Sequence, residues 1–250
     1  MLAVPHNVPA GSVWNAVSSS WRAVLGEFAA TALLVLLGCM TLANGKPDDG
    51  GLLRPALGFG AVITGLVAVF GEISGAHMNP AVTLAALLLG RVKPVLAAAY
   101  CLAQCAGATL GYGALKLCVT DANAHLACTM PTVSNVQAMF VEAAMTSLLA
   151  LLCCAAWCGQ GADHTVPLKF GMLVTGLVLA GGHMSGASLN PARSLGPALL
   201  SGCWRDHWVY WCGPLLGAAM AALLYRVMYV KPPREPQHED LPLRTKGDDC

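Results

Sequence analysis

Six runs of roughly twenty mostly apolar residues, separated by Gly, Pro, Asp and Asn, leave few structures open to this chain. A helix needs about 20 such residues to cross the hydrocarbon core of a bilayer. The runs lie at 21–43, 54–73, 94–117, 136–158, 166–182 and 208–229. Backbone groups in lipid must find their partners within the protein, so only helices and closed barrels span it. These runs are too long and too poor in alternation for barrel strands. The expected fold class is therefore all-α and membrane-spanning. Composition agrees, because 56% of the 250 residues are hydrophobic and 11% charged, against about 25% charged in soluble domains. With 14 Lys and Arg against 13 Asp and Glu there is no basic excess to attract nucleic acid, and the bilayer is the expected partner.

Two further apolar segments, 81–89 and 192–200, are about half a span long and cannot cross alone. Each follows a Gly-containing loop and the tripeptide Asn-Pro-Ala: Asn79, Pro80 and Ala81 in one case, Asn190, Pro191 and Ala192 in the other. Proline in a first helical turn sacrifices no hydrogen bond, since that N–H has no helical partner. The segments are thus expected to be half-helices that start inside the membrane. Ser74-Gly75-Ala76-His77-Met78-Asn79-Pro80-Ala81-Val82-Thr83-Leu84 recurs as Ser185-Gly186-Ala187-Ser188-Leu189-Asn190-Pro191-Ala192-Arg193-Ser194-Leu195, and Glu27-Phe28-Ala29-Ala30-Thr31 is echoed by Glu142-Ala143-Ala144-Met145-Thr146. The chain reads as a duplication, with copies at about 21–117 and 136–229 between an N-terminal segment, 1–20, and a tail, 230–250. Three spans per copy is an odd number, so the second copy enters from the opposite side and the half-helix N-termini meet near the midplane.

Arg22, Arg91, Lys93, Lys169, Arg226, Lys231, Arg234, Arg244 and Lys246 fall on one side, and Lys46, Arg54, Lys116 and Arg205 on the other. This bias places both termini in the cytoplasm. The N-terminus has no basic stretch leading into an apolar core, so the first span is expected to act as its own insertion signal. The tail, rich in Pro and charge, is expected to be solvated and disordered. Eleven cysteines lack metal spacing and mostly sit in apolar runs, where they pack as small hydrophobes. Cys118, Cys128 and Cys203 lie in segments placed outside, which leaves a disulfide among them open. No metal site and no cofactor are expected.

Two such tripeptides inside homologous repeats form a specific signature. On these motifs the sequence resembles the aquaporin family over nearly all of 21–229. The resemblance implies a right-handed bundle of six transmembrane helices with two re-entrant half-helices in an inverted repeat, assembled as a homotetramer with one pore per subunit. It implies that Asn79 and Asn190, besides capping their helices, turn amide N–H groups into the pore, so that a passing water donates no relay path for protons. Two facing helix N-termini, about half a positive charge each, repel cations at the same point.

The loops Gly75, Ala76, His77, Met78 and Gly186, Ala187, Ser188, Leu189 are expected to be extended and to expose carbonyl oxygens to the lumen. His77 reads as ordering its own loop rather than as a titrating sensor. An arginine at the depth of Arg193 costs at least about 2.5 kcal/mol unless it meets water or partners, so it should face the pore. The resemblance assigns Arg193 to an outer selectivity filter with Phe59, twenty residues before Asn79, and Ala187. It assigns Glu27 and Glu142 to bracing the pore loops. The fourth filter position, twelve before Asn190, is Val178, where water-selective members carry histidine. That loss leaves a wider, more apolar wall that would admit glycerol or urea besides water, as in the insect branch of water-channel descent. Ser194, Ala198, Tyr210 and Trp211 match the water-channel pattern instead. A structural adhesion protein and an ion-conducting variant are the competing readings; short mixed external loops and the lack of a charged ring speak against them. No nucleophile and base constellation suggests an enzyme.

Overall fold

A computed structural model describes residues 20–43, 51–119, 127–159 and 163–229. The readings for 1–19 and for the tail, and the charges at Lys46, Lys231, Arg234, Arg244 and Lys246, fall outside the described residues. The elements are α1 (Trp21–Met40), α2 (Leu53–Ser74), α3 (Pro80–Leu88), α4 (Pro94–Cys118), α5 (Asn135–Cys158), α6 (Val166–Ser185), α7 (Pro191–Ser201) and α8 (Val209–Tyr229). Six of them, 20 to 25 residues long, are long and apolar enough to cross a membrane. The two expected half-helices are α3 and α7, of 9 and 11 residues. No strand occurs among the described residues.

Local chemistry sets the ends. Pro80, Pro94 and Pro191 open their helices, where a missing N–H is harmless. Ser134 and Gln137 form a capping box at the start of α5. α2 and α6 stop at Gly75 and Gly186, both left-handed, at φ 91° and 85°. The fifth run, expected to end at 182, continues to Ser185, because Gly181 and Gly182 stay helical until the left-handed Gly186 terminates it.

The inverted repeat is visible in the packing. α1 lies along α4 and α5 along α8, the corresponding pairs of the two copies, while α2 and α6 meet each other across the pseudo-symmetry axis. At that crossing a Cβ on Gly60 would fall 2.6 Å from the Gly171 carbonyl oxygen, and one on Gly171 would fall 2.6 Å from that of Gly60. Thr64 and Thr175 donate to the Gly60 and Gly171 carbonyls, each at 3.0 Å. Gly107 on α4 and Gly217 on α8 press against the carbonyls of Phe28 and Ala143, where an added Cβ would approach to 2.2 and 2.1 Å. Apolar lipid gives no hydrophobic drive between helices, so such backbone contact is what holds them. The copies also interlock, since α3 packs mainly on α8 and α7 mainly on α4.

Cys128 and Cys203 form a disulfide, which decides among the three candidates; Cys118 is free and exposed. It lies at the end of the bundle where Lys116 donates to the Leu200 carbonyl at 3.1 Å. The opposite end carries Arg91 against the Cys158 sulfur at 3.2 Å.

Replacing Gly107 by Val should lower stability by about 2 kcal/mol or more through overpacking against Phe28. Gly65→Ala, at an exposed position with nothing within 4 Å, should change it by less than about 0.5 kcal/mol. Thermal unfolding of the two variants in detergent, followed by loss of the monodisperse species, checks the contrast.

Candidate functional site

Two buried carboxylates organise the centre of the bundle. Glu27 of α1 is fully buried, and its Oε1 accepts from Ser74 Oγ at 2.5 Å and from the His77 N–H at 2.9 Å. Its Oε2 accepts from the Met78 N–H at 2.6 Å and from Gln104 Nε2 at 2.8 Å. Glu142 of α5 repeats the pattern, accepting from Ser185 Oγ at 2.7 Å and from the Ser188 and Leu189 N–H groups at 2.8 and 2.7 Å. Among the described residues it has no fourth donor like Gln104, the matching place on α8 being held by Pro214. Successive N–H groups converge on one carboxylate only when the backbone alternates in handedness, forming a concave anion nest.

That requirement corrects the expectation of extended loops. Gly75, Ala76 and Met78 have φ of 91°, 49° and 52°, and Gly186, Ala187 and Leu189 have 85°, 44° and 54°. A non-glycine residue in the left-handed region costs about 1–2 kcal/mol. Four of these six residues are not glycine, so the carboxylate bonds must hold them there.

The loops deliver the two asparagines to one place. Asn79 Oδ1 caps α3 by accepting from the Ala81 N–H at 2.8 Å, and Asn190 Oδ1 caps α7 by accepting from Ala192 and Arg193 at 3.0 and 3.3 Å. These caps fix which way each amide faces. Asn79 Nδ2 then donates to the Leu189 carbonyl at 2.8 Å, and Asn190 Nδ2 to the Met78 carbonyl at 2.7 Å. Each motif is thus clasped by the loop of the other copy, and each amide nitrogen retains a second N–H. Pro80, Ala81, Pro191 and Ala192 are buried in the first turns beneath. Two helix N-termini point at one another across this clasp.

Around it the copies differ. His77 Nδ1 lies 3.1 Å from Thr83 Oγ1, and its ring meets Tyr100 edge-on and Trp157 at a tilt, with centroids at 5.3 and 5.4 Å. Those contacts lock the loop. In the other copy Ser188 Oγ and Ser194 Oγ take the same positions, 2.5 Å apart. The four residues assigned to an outer constriction are Phe59, Val178, Ala187 and Arg193, all between 5 and 9% exposed. Phe59 sits over Gly38, where a Cβ would come within 2.5 Å of its ring. The Arg193 guanidinium carbon is 5.4 Å from the Phe59 ring centroid, and Nη1 donates to the Ala127 carbonyl at 2.8 Å. Arg193 Nε is buried without an acceptor among the described residues. No cluster of His, Cys, Asp or Glu fit for a metal occurs among them.

The contacts of several contributors escaped the reading of the sequence, including those of Tyr210, which was noted there only for its match to the water-channel pattern. Tyr100 and Tyr210 donate to the Ser74 and Ser185 carbonyls, both at 2.8 Å. Their near-equal spacing from the repeated serines was the available signal. Gln104 and Ala127 gave none, since an amide within an apolar run and a backbone carbonyl in a loop carry no pattern.

The chain matches the family model described as Major intrinsic protein over residues 14–225. It is 36% identical to Aquaporin-8 of Rattus norvegicus, with 80% of this chain and 79% of that one covered. It is 37% identical to the lens fiber major intrinsic protein of Gallus gallus, over 92% and 97% of the two chains. With Aquaporin TIP4-4 of Zea mays it shares 38% over 88% and 90%. Its fold matches the X-ray structure of the aquaglyceroporin from Plasmodium falciparum at a TM-score of 0.73 and 23% identity, covering 82% of this chain and 95% of that one.

Removing the carboxylate in Glu142→Ala strands two buried N–H groups and should cost about 3 kcal/mol or more. Glu142→Gln, which keeps an acceptor, should cost less. Thermal unfolding in detergent ranks the pair, and equal losses would contradict the nest.

Proposed function

The chain belongs to the major intrinsic protein family of transmembrane channels, and on that premise we propose that it is a passive pore for water that also passes glycerol and urea while excluding protons and ions. The reading is carried by the reciprocal bonds from Asn79 to the Leu189 carbonyl and from Asn190 to the Met78 carbonyl. They bring two electropositive helix ends to one point at mid-bundle, where a cation loses hydration and gains only repulsion. A neutral solute meets two amide donors and no such penalty. Water bound to both asparagines has its oxygen engaged, and so relays no proton across the pair.

Size selection is assigned to Phe59, Val178, Ala187 and Arg193. Arg193 offers fixed positive N–H groups that would donate to a passing solute. Val178 and Ala187 are small and apolar, which suits the carbon face of a polyol. A strictly water-selective pore is the second reading, favoured by the closeness of Arg193 to Phe59. The loop carbonyls of Gly75, Ala76, His77, Gly186 and Ser188 complete the proposed lining. A homotetramer, placement in the cell membrane and cytoplasmic termini belong to the same proposal, the last supported by the distribution of Lys and Arg.

Reconstitution in liposomes, with volume followed by light scattering under sucrose, glycerol and urea gradients, tests this. The parent should swell back after glycerol and urea gradients but not after sucrose. Val178→His should keep water flow and lose glycerol flow by about tenfold or more. A parent that holds back glycerol as completely as sucrose would sink the broad solute range and leave the water-selective reading.

A further inference from the structure

We propose that the Cys128–Cys203 disulfide is a positioning element for Arg193, setting how far the guanidinium stands from Phe59 and so the bore of the outer constriction; the inference rests on the channel reading above. The segment carrying Cys128 touches two consecutive residues of the site. Ala127 gives its carbonyl to Arg193 Nη1 at 2.8 Å, and Thr129 Oγ1 donates to Ser194 Oγ at 2.8 Å. Farther along, Thr132 binds the end of α6, its N–H reaching the Met184 carbonyl at 2.9 Å and its hydroxyl the His183 carbonyl at 2.6 Å. Cys203 lies two residues beyond the end of α7, the half-helix whose first turn bears Arg193. The disulfide therefore ties the far end of α7 to the strip of backbone that anchors its near end.

Such a tie is needed because the anchor is otherwise weak. Ala127 is left-handed at φ 62°, a conformation that alanine leaves when unconstrained. Its carbonyl holds Arg193 by a single bond, while the Phe59 face at 5.4 Å attracts the same cation from another side. If the strip drifts, the remaining attraction draws the guanidinium toward Phe59 and narrows the gap between them. A narrower gap hinders glycerol more than water. Cysteines at 128 and 203 suit the outer side given by the charge distribution, where disulfides persist.

The test compares Cys128→Ala, Cys203→Ala and the double variant in liposomes, with permeability normalised to reconstituted protein. All three should lose water permeability by the same factor, about threefold or more, with a larger loss for glycerol wherever the parent passes it. Removing both cysteines from an Arg193→Val channel should then change nothing. Dithiothreitol applied to the folded parent should reproduce the loss and leave the double variant unaffected; the Cys128–Cys203 bond breaks, two thiols form, and the reagent leaves as its cyclic disulfide. Unchanged permeability in the double variant would overturn the proposal. So would an equal loss in the Arg193→Val background, since a disulfide that only supports folding acts whether or not the arginine is present. A parent that passes no water removes both this inference and the channel reading, and is seen before any cysteine is altered.

Discussion

Everything at the centre of this protein depends on two buried carboxyl side chains that accept hydrogen bonds from loop backbone. A carboxylate moved from water into a bilayer interior loses several kcal/mol of solvation. Glu27 and Glu142 recover it through four and three donors, mostly at charge-assisted distances. In return they hold Ala76, Met78, Ala187 and Leu189 in left-handed conformations that those residues would otherwise leave. The handedness turns the Met78 and Leu189 carbonyls toward the opposite asparagines, and the asparagines hold the helix ends in place. Removing a carboxylate would release the loop, then the cap, then the opposed N-termini, in that order of dependence.

Close helix contact makes the arrangement possible. The loops reach mid-bundle only because α1 and α4, α5 and α8, and α2 and α6 approach to backbone contact at Gly107, Gly217 and the Gly60–Gly171 pair. The interlocking of α3 with α8 and of α7 with α4 then makes each half-site incomplete without the other copy. An inverted duplication is well suited to this, because one set of contacts, used twice, produces two electropositive helix ends facing one another. The copies diverge where a channel needs asymmetry: Val82 occupies the first repeat where Arg193 stands in the second, and His77 with its aromatic neighbours occupies the place of Ser188.

Much of the architecture was legible in the order of the residues. Six spans follow from run length, because lipid tolerates no unpaired backbone, and the half-helices follow from apolar segments too short to span beside a repeated Asn-Pro-Ala. The repeat itself announced that the two motifs are equivalent, and family resemblance paired Glu27 and Glu142 with the loops. Local reading failed at the loop conformation, since Ala, Met and Leu carry no propensity for a left-handed backbone and adopt it only when a distant carboxylate demands it. It also failed at Gln104 and Ala127, whose roles arise from atoms far away in sequence.

By itself, then, the amino-acid order determined that this protein crosses a membrane six times, carries two re-entrant helices and is built from two inverted copies; these follow from the bilayer's intolerance of unsatisfied polar groups, from run length and from the repeated motif. Only the tertiary structure decided that Cys128 pairs with Cys203 rather than with Cys118, that each asparagine is clasped by the other repeat's loop, and that Arg193 leans on the carbonyl of Ala127. Those contacts join residues 66 to 112 positions apart. Hydrogen bonds and disulfides act over a few ångströms, so which distant groups meet is settled by packing and not by composition.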